Sequence, residues 1–388
     1  MMDTCFPKRF GNTMEGSIVR AESAVKRIRA KDSRRRRADP GTGGTHVRAR
    51  KRPTLRDVAN ETGLSVTQTS RALNGRYDVS ARTRARVTEA AARIGYTPNL
   101  EARRLKMPGT RTNSIGLVLA TRSQRFSDPY FGELLAALVD EAARNDCELQ
   151  LSTPLVHEDP TASYERAVAA QRVDGFVVLR ATRDDPRVLY LREENVPFVT
   201  FGRIDELGGH PAVNESIDCL RPAVDHLVAL GHRRIGCLAE PLEHAIAGRR
   251  IASFHRSLAD HGIEAEPAHV IPSGFREDAA AEATSQLLDT LDPPSALVAF
   301  NDLLAMGALR AAASHGLDVP GDLSIVGFDD IHAARFMSPP LTTLRHSPQT
   351  LGRELVTQLL KVIDDPVCAD DIYITPELVM RQSTGPAP

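Results

Sequence analysis

The sequence predicts an α/β protein in two parts: a small bundle of short helices near the N-terminus and a large, doubly wound body in two lobes behind it. Three observations carry this. Two short amphipathic segments with capping signals abut at Gly63 and Leu64, strands and helices alternate from Ser114 onward, and charge is divided along the chain. Residues 1 to 111 hold 26 Lys and Arg against 10 Asp and Glu, whereas residues 112 to 388 hold 23 against 40. The division suggests a basic module for a polyanion joined to an acidic body. A solvated basic tail would give the same tally, so charge alone does not decide.

Size and composition set the outer limits. A chain of 388 residues allows two or three domains at roughly 100 to 200 residues each. No apolar run reaches the length of a membrane span, and the early Arg clusters are not followed by the apolar core of a signal peptide, so neither a membrane nor export is expected. The five cysteines, Cys5, Cys147, Cys219, Cys237 and Cys368, are scattered without C-x-x-C spacing. They predict no disulfide framework, metal site or cofactor, and a reducing cytoplasm fits them.

Residues 1 to 52 lack helical or strand periodicity, carry Arg34 to Arg37 and a Gly/Thr-rich stretch, and read as a basic, disordered arm. Thr54 opens the first helix, with Asp57 three residues on and Leu55, Val58 and Ala59 on one face; Gly63 ends it. Ser65 and Gln68 form a second capping box ahead of Ala72 and Leu73, and Asn74-Gly75 stops that helix. Two helices joined by so tight a turn make a helix-turn-helix. Ser80 starts a third helix, in which Val87, Ala90, Ala91 and Ile94 share a face before Gly95.

In such a motif the second helix enters the major groove and its N-terminal residues reach base edges. Ser65, Val66, Thr67 and Gln68 hold that end, with Ser70 and Arg71 a turn further on. Gln68 can pair with adenine, Arg71 with guanine or a phosphate, and Val66 can touch a thymine methyl. The competing role for Gln68 is its own capping box, and Ser70 suits packing or a phosphate.

Residues 100 to 107 form a short basic segment that is too short for a stable isolated helix. The body then reads as strand 115 to 120, helix 130 to 145, strand 147 to 152, helix 163 to 172, and strands 173 to 179 and 197 to 201. Helix 216 to 230, strand 234 to 238, helix 249 to 261, strand 269 to 271, helix 278 to 291, strand 296 to 300, helix 303 to 315 and strand 323 to 328 continue the rhythm, and a last helix spans 348 to 363. This alternation implies parallel sheets covered on both faces, split into two lobes with a cleft between them.

Enzyme signatures are missing. There is no G-x-x-x-x-G-K-[ST], no G-x-G-x-x-G after a strand, no G-x-S-x-G and no H-E-x-x-H, and the acidic pairs Asp184-Asp185, Asp329-Asp330 and Asp364-Asp365 are adjacent residues with diverging side chains.

Thr54-Leu55-Arg56-Asp57-Val58-Ala59, Gly63-Leu64-Ser65, Ser70-Arg71-Ala72-Leu73-Asn74, Val79-Ser80, Thr83-Arg84 and Gly95-Tyr96-Thr97-Pro98-Asn99 together resemble the DNA-binding module of the LacI/GalR transcriptional regulators. The body carries further matches at Asp128-Pro129-Tyr130-Phe131, Val173-Asp174-Gly175, Leu230-Gly231-His232, Phe300-Asn301-Asp302 and Val326-Gly327-Phe328-Asp329-Asp330. The likeness runs to about residue 366. It implies a DNA-binding domain at 53 to 98, a hinge helix and linker at 99 to 113, and a two-lobed, periplasmic-binding-protein-like domain for effector binding and dimerisation at 114 to 388.

The resemblance also implies roles. Thr54, Asn74 and Asn99 join the DNA-contacting set, and the hinge folds on DNA with Leu105 as a minor-groove wedge and Ala102 as the small residue one turn before it. The stretch from Leu105 to Ile115 is two residues longer than the family pattern. In the body, Asn301 and Asp329 follow strands and face the cleft, Arg250 points inward, and Phe275 offers a stacking ring; Asp128, Tyr130, Phe131 and Arg203 are added from the first lobe. Carboxylate, amide and guanidinium groups with a ring suit a polyhydroxylated ligand, though an aromatic slot with Asn and Asp also serves a purine. Gly202-Arg203 stands where many relatives have Asp-Arg. The expectation is a homodimeric repressor, not an enzyme, that binds operator DNA under control of a sugar-like effector. A solute-binding protein or a sugar-processing enzyme on the same two lobes is the rival.

Overall fold

The computed structural model describes residues 53–96, 111–119, 128–155, 158–365 and 370–388. The chain divides into two compact units at Pro108 and Gly109. The basic arm expected over residues 1 to 52, nearly all of the hinge segment, and with it Asn99, Ala102 and Leu105, lie outside the described residues.

In the first unit, helices α1 (Leu55–Thr62), α2 (Val66–Leu73) and α3 (Ala81–Ile94) are those the capping signals predict. Gly63 stops α1 with φ of 63°, in the left-handed region that glycine adopts without a Cβ penalty. The core is small: Val58, Ala72, Val87, Ala90 and Ala91 are buried, with Leu64, Leu73, Val79, Ile94 and Tyr96 packed around them. Arg86 donates to the Thr62 carbonyl at 2.7 Å, tying α3 to the end of α1. That bond satisfies a carbonyl the helix leaves without an internal partner.

The second unit holds two six-stranded sheets. The first contains β1 (Ser114–Val118), β2 (Glu148–Ser152), β3 (Gly175–Val178), β4 (Phe198–Phe201), β5 (Ala212–Glu215) and β11 (Ile372–Ile374), in the order β11-β5-β4-β3-β1-β2. The second contains β6 (Ile235–Ala239), β7 (Val270–Pro272), β8 (Ala296–Ala299), β9 (Ser324–Phe328), β10 (Thr342–Arg345) and β12 (Glu377–Val379), in the order β12-β10-β9-β8-β6-β7. Every pairing is parallel except β10 with β12.

Residue alternation explains how the first sheet is covered. Ile115, Leu117, Val177, Val199 and Val213 face α4 (Pro129–Arg144) and α11 (Pro348–Asp364). Phe176, Val178 and Phe198 point the other way, into a cluster with Tyr164 of α5 (Ala162–Ala169) and with Val188 and Leu191 of α6 (Pro186–Glu193). Successive strand residues point to opposite faces, so a sheet covered by helices on both sides must be apolar at nearly every position. The second lobe is built likewise from α7 (Arg221–Ala229), α8 (Ala245–Asp260), α9 (Glu277–Leu288) and α10 (Asp302–Ser314) around one large apolar cluster.

The lobes exchange chain three times. β5 of the first sheet leads to α7, which packs on β8, β10 and β12; β10 leads to α11, which packs on β3, β4 and β5; and β11 leads to β12. The helix expected from residue 216 therefore begins only at Arg221, because residues 216 to 220 form the first crossing. α6, β5, β10, β11 and β12 are elements that periodicity does not announce.

Candidate functional site

The helix-turn-helix presents a polar surface. Ser65 accepts from the Gln68 N–H at 3.2 Å, while the Ser65 N–H donates to Gln68 Oε1 at 3.3 Å, so the predicted capping box is formed. Gln68 Oε1 is thereby occupied, and two-pronged pairing to adenine requires it to leave the cap. Its amide nitrogen stays available as a donor. Val66 is 43 % exposed although apolar, and Thr67 and Asn74 are exposed beside it. Asn74 donates to Ser70 Oγ at 3.3 Å. Arg71 is exposed and paired to Asp78 at 2.8 Å. Thr54 donates through its N–H and its hydroxyl to Asp57, at 2.7 and 2.8 Å, which anchors the start of α1.

Sequence reasoning missed Tyr77. Its side chain is 95 % exposed in the loop after α2, beside Arg76. A ring so exposed adds nothing to the core and suits a surface contact.

In the second unit the candidate side chains gather at the carboxyl ends of the strands, where open parallel sheets bind ligands. Asp128 precedes α4, Arg180 follows β3, Glu215 ends β5, Glu240 follows β6, Phe275 lies beyond β7, Asn301 and Asp329 follow β8 and β9, and His346 follows β10.

Arg250 is the centre of this group. It is 4 % exposed on α8 and donates from Nε to Glu215 at 2.9 Å and from Nη2 to the other carboxylate oxygen. Its Nη1 donates to the Phe300 carbonyl and lies 3.9 Å from Glu240, and the guanidinium stacks 3.9 Å from the centre of the Phe328 ring. Burial opposes both charges, yet each stabilises the other: Glu215 is held below the usual carboxylate range and Arg250 stays protonated.

Asp329 has a strained backbone, with φ of 105° followed by 54° at Asp330. Asp330 anchors the turn through Arg345 at 2.8 Å and Arg381. Burial pushes the Asp329 carboxyl well above its usual range, Arg250 opposes this, and Asp302, Asp128 and Glu240 push it further up.

Asn301 caps α10 by accepting the Leu304 N–H at 2.8 Å and donates to Glu240 at 3.3 Å. Asp302, fully buried, accepts from the Ile331 N–H at 2.8 Å and the Thr343 hydroxyl at 2.6 Å, so it holds the second lobe together. Asp128 caps α4 through the Tyr130 N–H at 3.1 Å and pairs with Arg180 at 3.3 Å. Arg180 in turn stacks 4.1 Å from the centre of the Phe275 ring, which meets His244 edge-on. Tyr130 hydrogen-bonds His346 Nδ1 at 2.7 Å across the lobes, and burial lowers the His346 pKa to about 4.

The structure thus brings Asp128, Tyr130, Arg250, Asn301 and Asp329 together, with Phe275 joined through Arg180. Two of the eight predicted residues stand apart. Phe131 is buried in the apolar core between α4 and the first sheet. The Arg203 guanidinium is drawn to Asp371, beside β11, because that carboxylate and Asp205 are its nearest counter-charges. Glu215, Arg180, Glu240 and His346 were not anticipated. Beside them the lobes meet closely: a Cβ on Gly202, where φ is 85°, would lie 2.5 Å from Ile246 Cγ1. Among the described residues no group of three or more His, Cys, Asp or Glu is placed to hold a metal, and no helix is long and apolar enough to cross a membrane.

Comparison with known proteins agrees with both halves. The family described as bacterial regulatory proteins, lacI family, matches residues 54–99, and the periplasmic binding protein-like domain matches residues 224–384. The HTH-type transcriptional regulator AglR of Rhizobium meliloti (strain 1021) is 34% identical over 342 residues, covering 86% of this chain and 95% of its own. The HTH-type transcriptional repressor PurR of Haemophilus influenzae (strain PittEE) is 32% identical, over 85% of this chain and 98% of its own. The crystal structure of the lac repressor dimer bound to operator and the anti-inducer ONPF superposes with a TM-score of 0.75 at 29% identity, over 86% of this chain and all of that one, 100%. The transcriptional regulator CelR in complex with cellobiose gives 0.64 at 30% identity, over 86% of this chain and 100% of that one.

Fold and relatives define the class: a transcriptional regulator, not an enzyme, made of a helix-turn-helix and a periplasmic-binding-protein-like body. The chain belongs to the LacI family of bacterial transcriptional regulators.

Proposed function

We propose that the protein is a homodimeric repressor that binds a roughly palindromic operator through α2 of each subunit and is controlled by a sugar or sugar derivative held between the lobes. Dimer symmetry supports a palindromic site, since twofold protein asks for twofold DNA. The DNA-contacting set is Thr54, Ser65, Val66, Thr67, Gln68, Ser70, Arg71 and Asn74, with Asn99, Ala102 and Leu105 in the hinge, and its work lies in the cytoplasm at the nucleoid.

The observation that carries the effector reading is the cluster of Asp329, Asn301 and Arg250 at strand ends beside the Phe275 ring. Such groups bind hydroxyls in forks while a ring covers an apolar sugar face. Asp128 and Tyr130 complete the proposed set; Phe131 and Arg203, expected there from the sequence, are held elsewhere by the core and by Asp371. The similarity to PurR favours a second reading, a purine effector in the same cleft.

Calorimetry of the full chain with neutral sugars and with purine bases, each with and without operator, tests both readings. Coupling is reciprocal, so operator must change effector affinity by the factor by which effector changes operator affinity. Equal affinities in the two conditions refute ligand control. Footprinting that finds no protected inverted repeat refutes the operator model, and an operator bend unchanged by Leu105→Ala removes the wedge.

A further inference from the structure

Among the described residues, the arginines beside the cleft are already committed. Arg250 spends both prongs on Glu215 and its remaining nitrogen on the Phe300 carbonyl. Arg180 is paired to Asp128 and covers Phe275, Arg249 is paired to Asp205 at 2.9 Å, and Arg203 is paired to Asp371. Among the described residues the acidic side is in surplus. Asp329 makes no side-chain hydrogen bond among the described residues, and Glu240 receives only the neutral Asn301 amide and the distant edge of Arg250. Tyr130 feels Asp329, Glu215 and Asp128 against Arg250 alone, so these groups share one low-dielectric space.

We propose that Glu215 fixes the charge class of the effector: by committing Arg250, it restricts the cleft to polyhydroxylated ligands that carry no anionic group. This rests on the reading of the cleft as a sugar site and deepens it. A neutral hydroxyl donates to Asp329 or Glu240 at no cost in charge, and a protonated amine gains from either carboxylate. A phosphate or uronate must enter a site whose guanidinium already holds a carboxylate with the geometry it would itself need. Arg250 can bind such a group only by releasing Glu215 into a buried space without a counter-charge.

The test is a matched series of probes on the full chain, read by thermal shift and calorimetry: glucose and galactose, their 2-amino forms, their 6-phosphates, and the uronate of each beside its neutral isosteric uronamide. Wild type is expected to bind at least one neutral or amino sugar, with the corresponding uronate at least tenfold weaker than its uronamide. Glu215→Gln keeps the shape of the side chain but removes its charge, and is expected to bring that ratio below about threefold. A uronate or phosphate that binds wild type as tightly as its neutral partner overturns the inference and leaves the sugar reading standing. A folded Glu215→Gln protein with an unchanged ratio overturns it too. Should that variant fail to fold, the wild-type ratio alone decides. Failure of every probe to bind overturns the sugar reading and this inference together.

Discussion

Replacing Arg250 by Met should be far more damaging than the loss of a side chain of that size suggests. The variant fills similar volume but leaves Glu215, 8 % exposed, without its counter-charge. With Nε and Oε2 2.9 Å apart, the charge centres lie about 4 Å from each other and attract by ~4 kcal/mol at an effective dielectric near 20. Removing one partner of a buried pair costs about 3–5 kcal/mol for the same reason. The double variant Arg250→Met/Glu215→Gln has no charge to strand and should recover at least half of the loss. The pH dependence has a fixed sign. In the wild type the Glu215 pKa is held down, so the pair's contribution is present above the unfolded-state value and fades as pH falls through the lower folded-state value. In Arg250→Met burial prevails and raises that pKa, so the variant is penalised at pH 7 and relieved near pH 4, where the carboxyl is protonated. Urea denaturation of both variants and the wild type at the two pH values measures this. A single variant within 1 kcal/mol of wild type at pH 7, or a deficit that grows on acidification, would refute the reasoning; roughly 1 kcal/mol is the scale of an ordinary hydrogen bond.

Three further outcomes are expected. Arg71→Ala should weaken operator binding by about 1–3 kcal/mol in fluorescence anisotropy, whereas Asp78→Asn, which releases Arg71 from its ion pair, should strengthen it; weaker binding by Asp78→Asn would count against a DNA role for Arg71. The Asp302 pKa is raised to about 7, chiefly by burial, so its contribution to stability is complete below the unfolded-state value and is lost as pH rises through 7. Denaturation between pH 5 and 8 should show this slope, and Asp302→Asn should flatten it at a cost below about 1 kcal/mol at pH 5, its Oδ1 accepting the Ile331 N–H and its amide donating to the Thr343 hydroxyl. Gly327→Ala should lose about 1–3 kcal/mol by denaturant midpoint, because its Cβ would fall 2.2 Å from Asp302 Oδ1 and 2.8 Å from Leu341 Cδ2; an unchanged midpoint would mean the second lobe is looser than its packing implies.

Legibility from sequence tracked how local each cause was. Caps and glycine stops act within four residues, so the three helices of the first unit were readable, including the Ser65–Gln68 box. Buried parallel strands such as β1, β6, β8 and β9 read as apolar runs for an equally local reason. β5 did not, since Asn214 and Glu215 look unlike a buried strand and are explained only by Arg203 and Arg250, which are distant in sequence. The short β11 and β12 offer three residues each, too few for any pattern. In the site, Asn301 and Asp329 were visible as residues at the ends of apolar strands. Glu215 and His346 were not, because their meaning comes from the crossings between lobes, which no periodicity reveals. Arg203 was misleading for the same reason: its partner Asp371 lies far along the chain.

The bare backbone at Gly202 has a bearing on how such a molecule can be retuned. Because nothing but hydrogen projects there toward Ile246, the halves rest face to face at that corner. Any branch grown at the position would have to adopt a left-handed backbone and force itself into room that Ile246 already fills, so the halves can lie this near only while the residue stays bare. The snugness of that corner therefore hangs on a single codon.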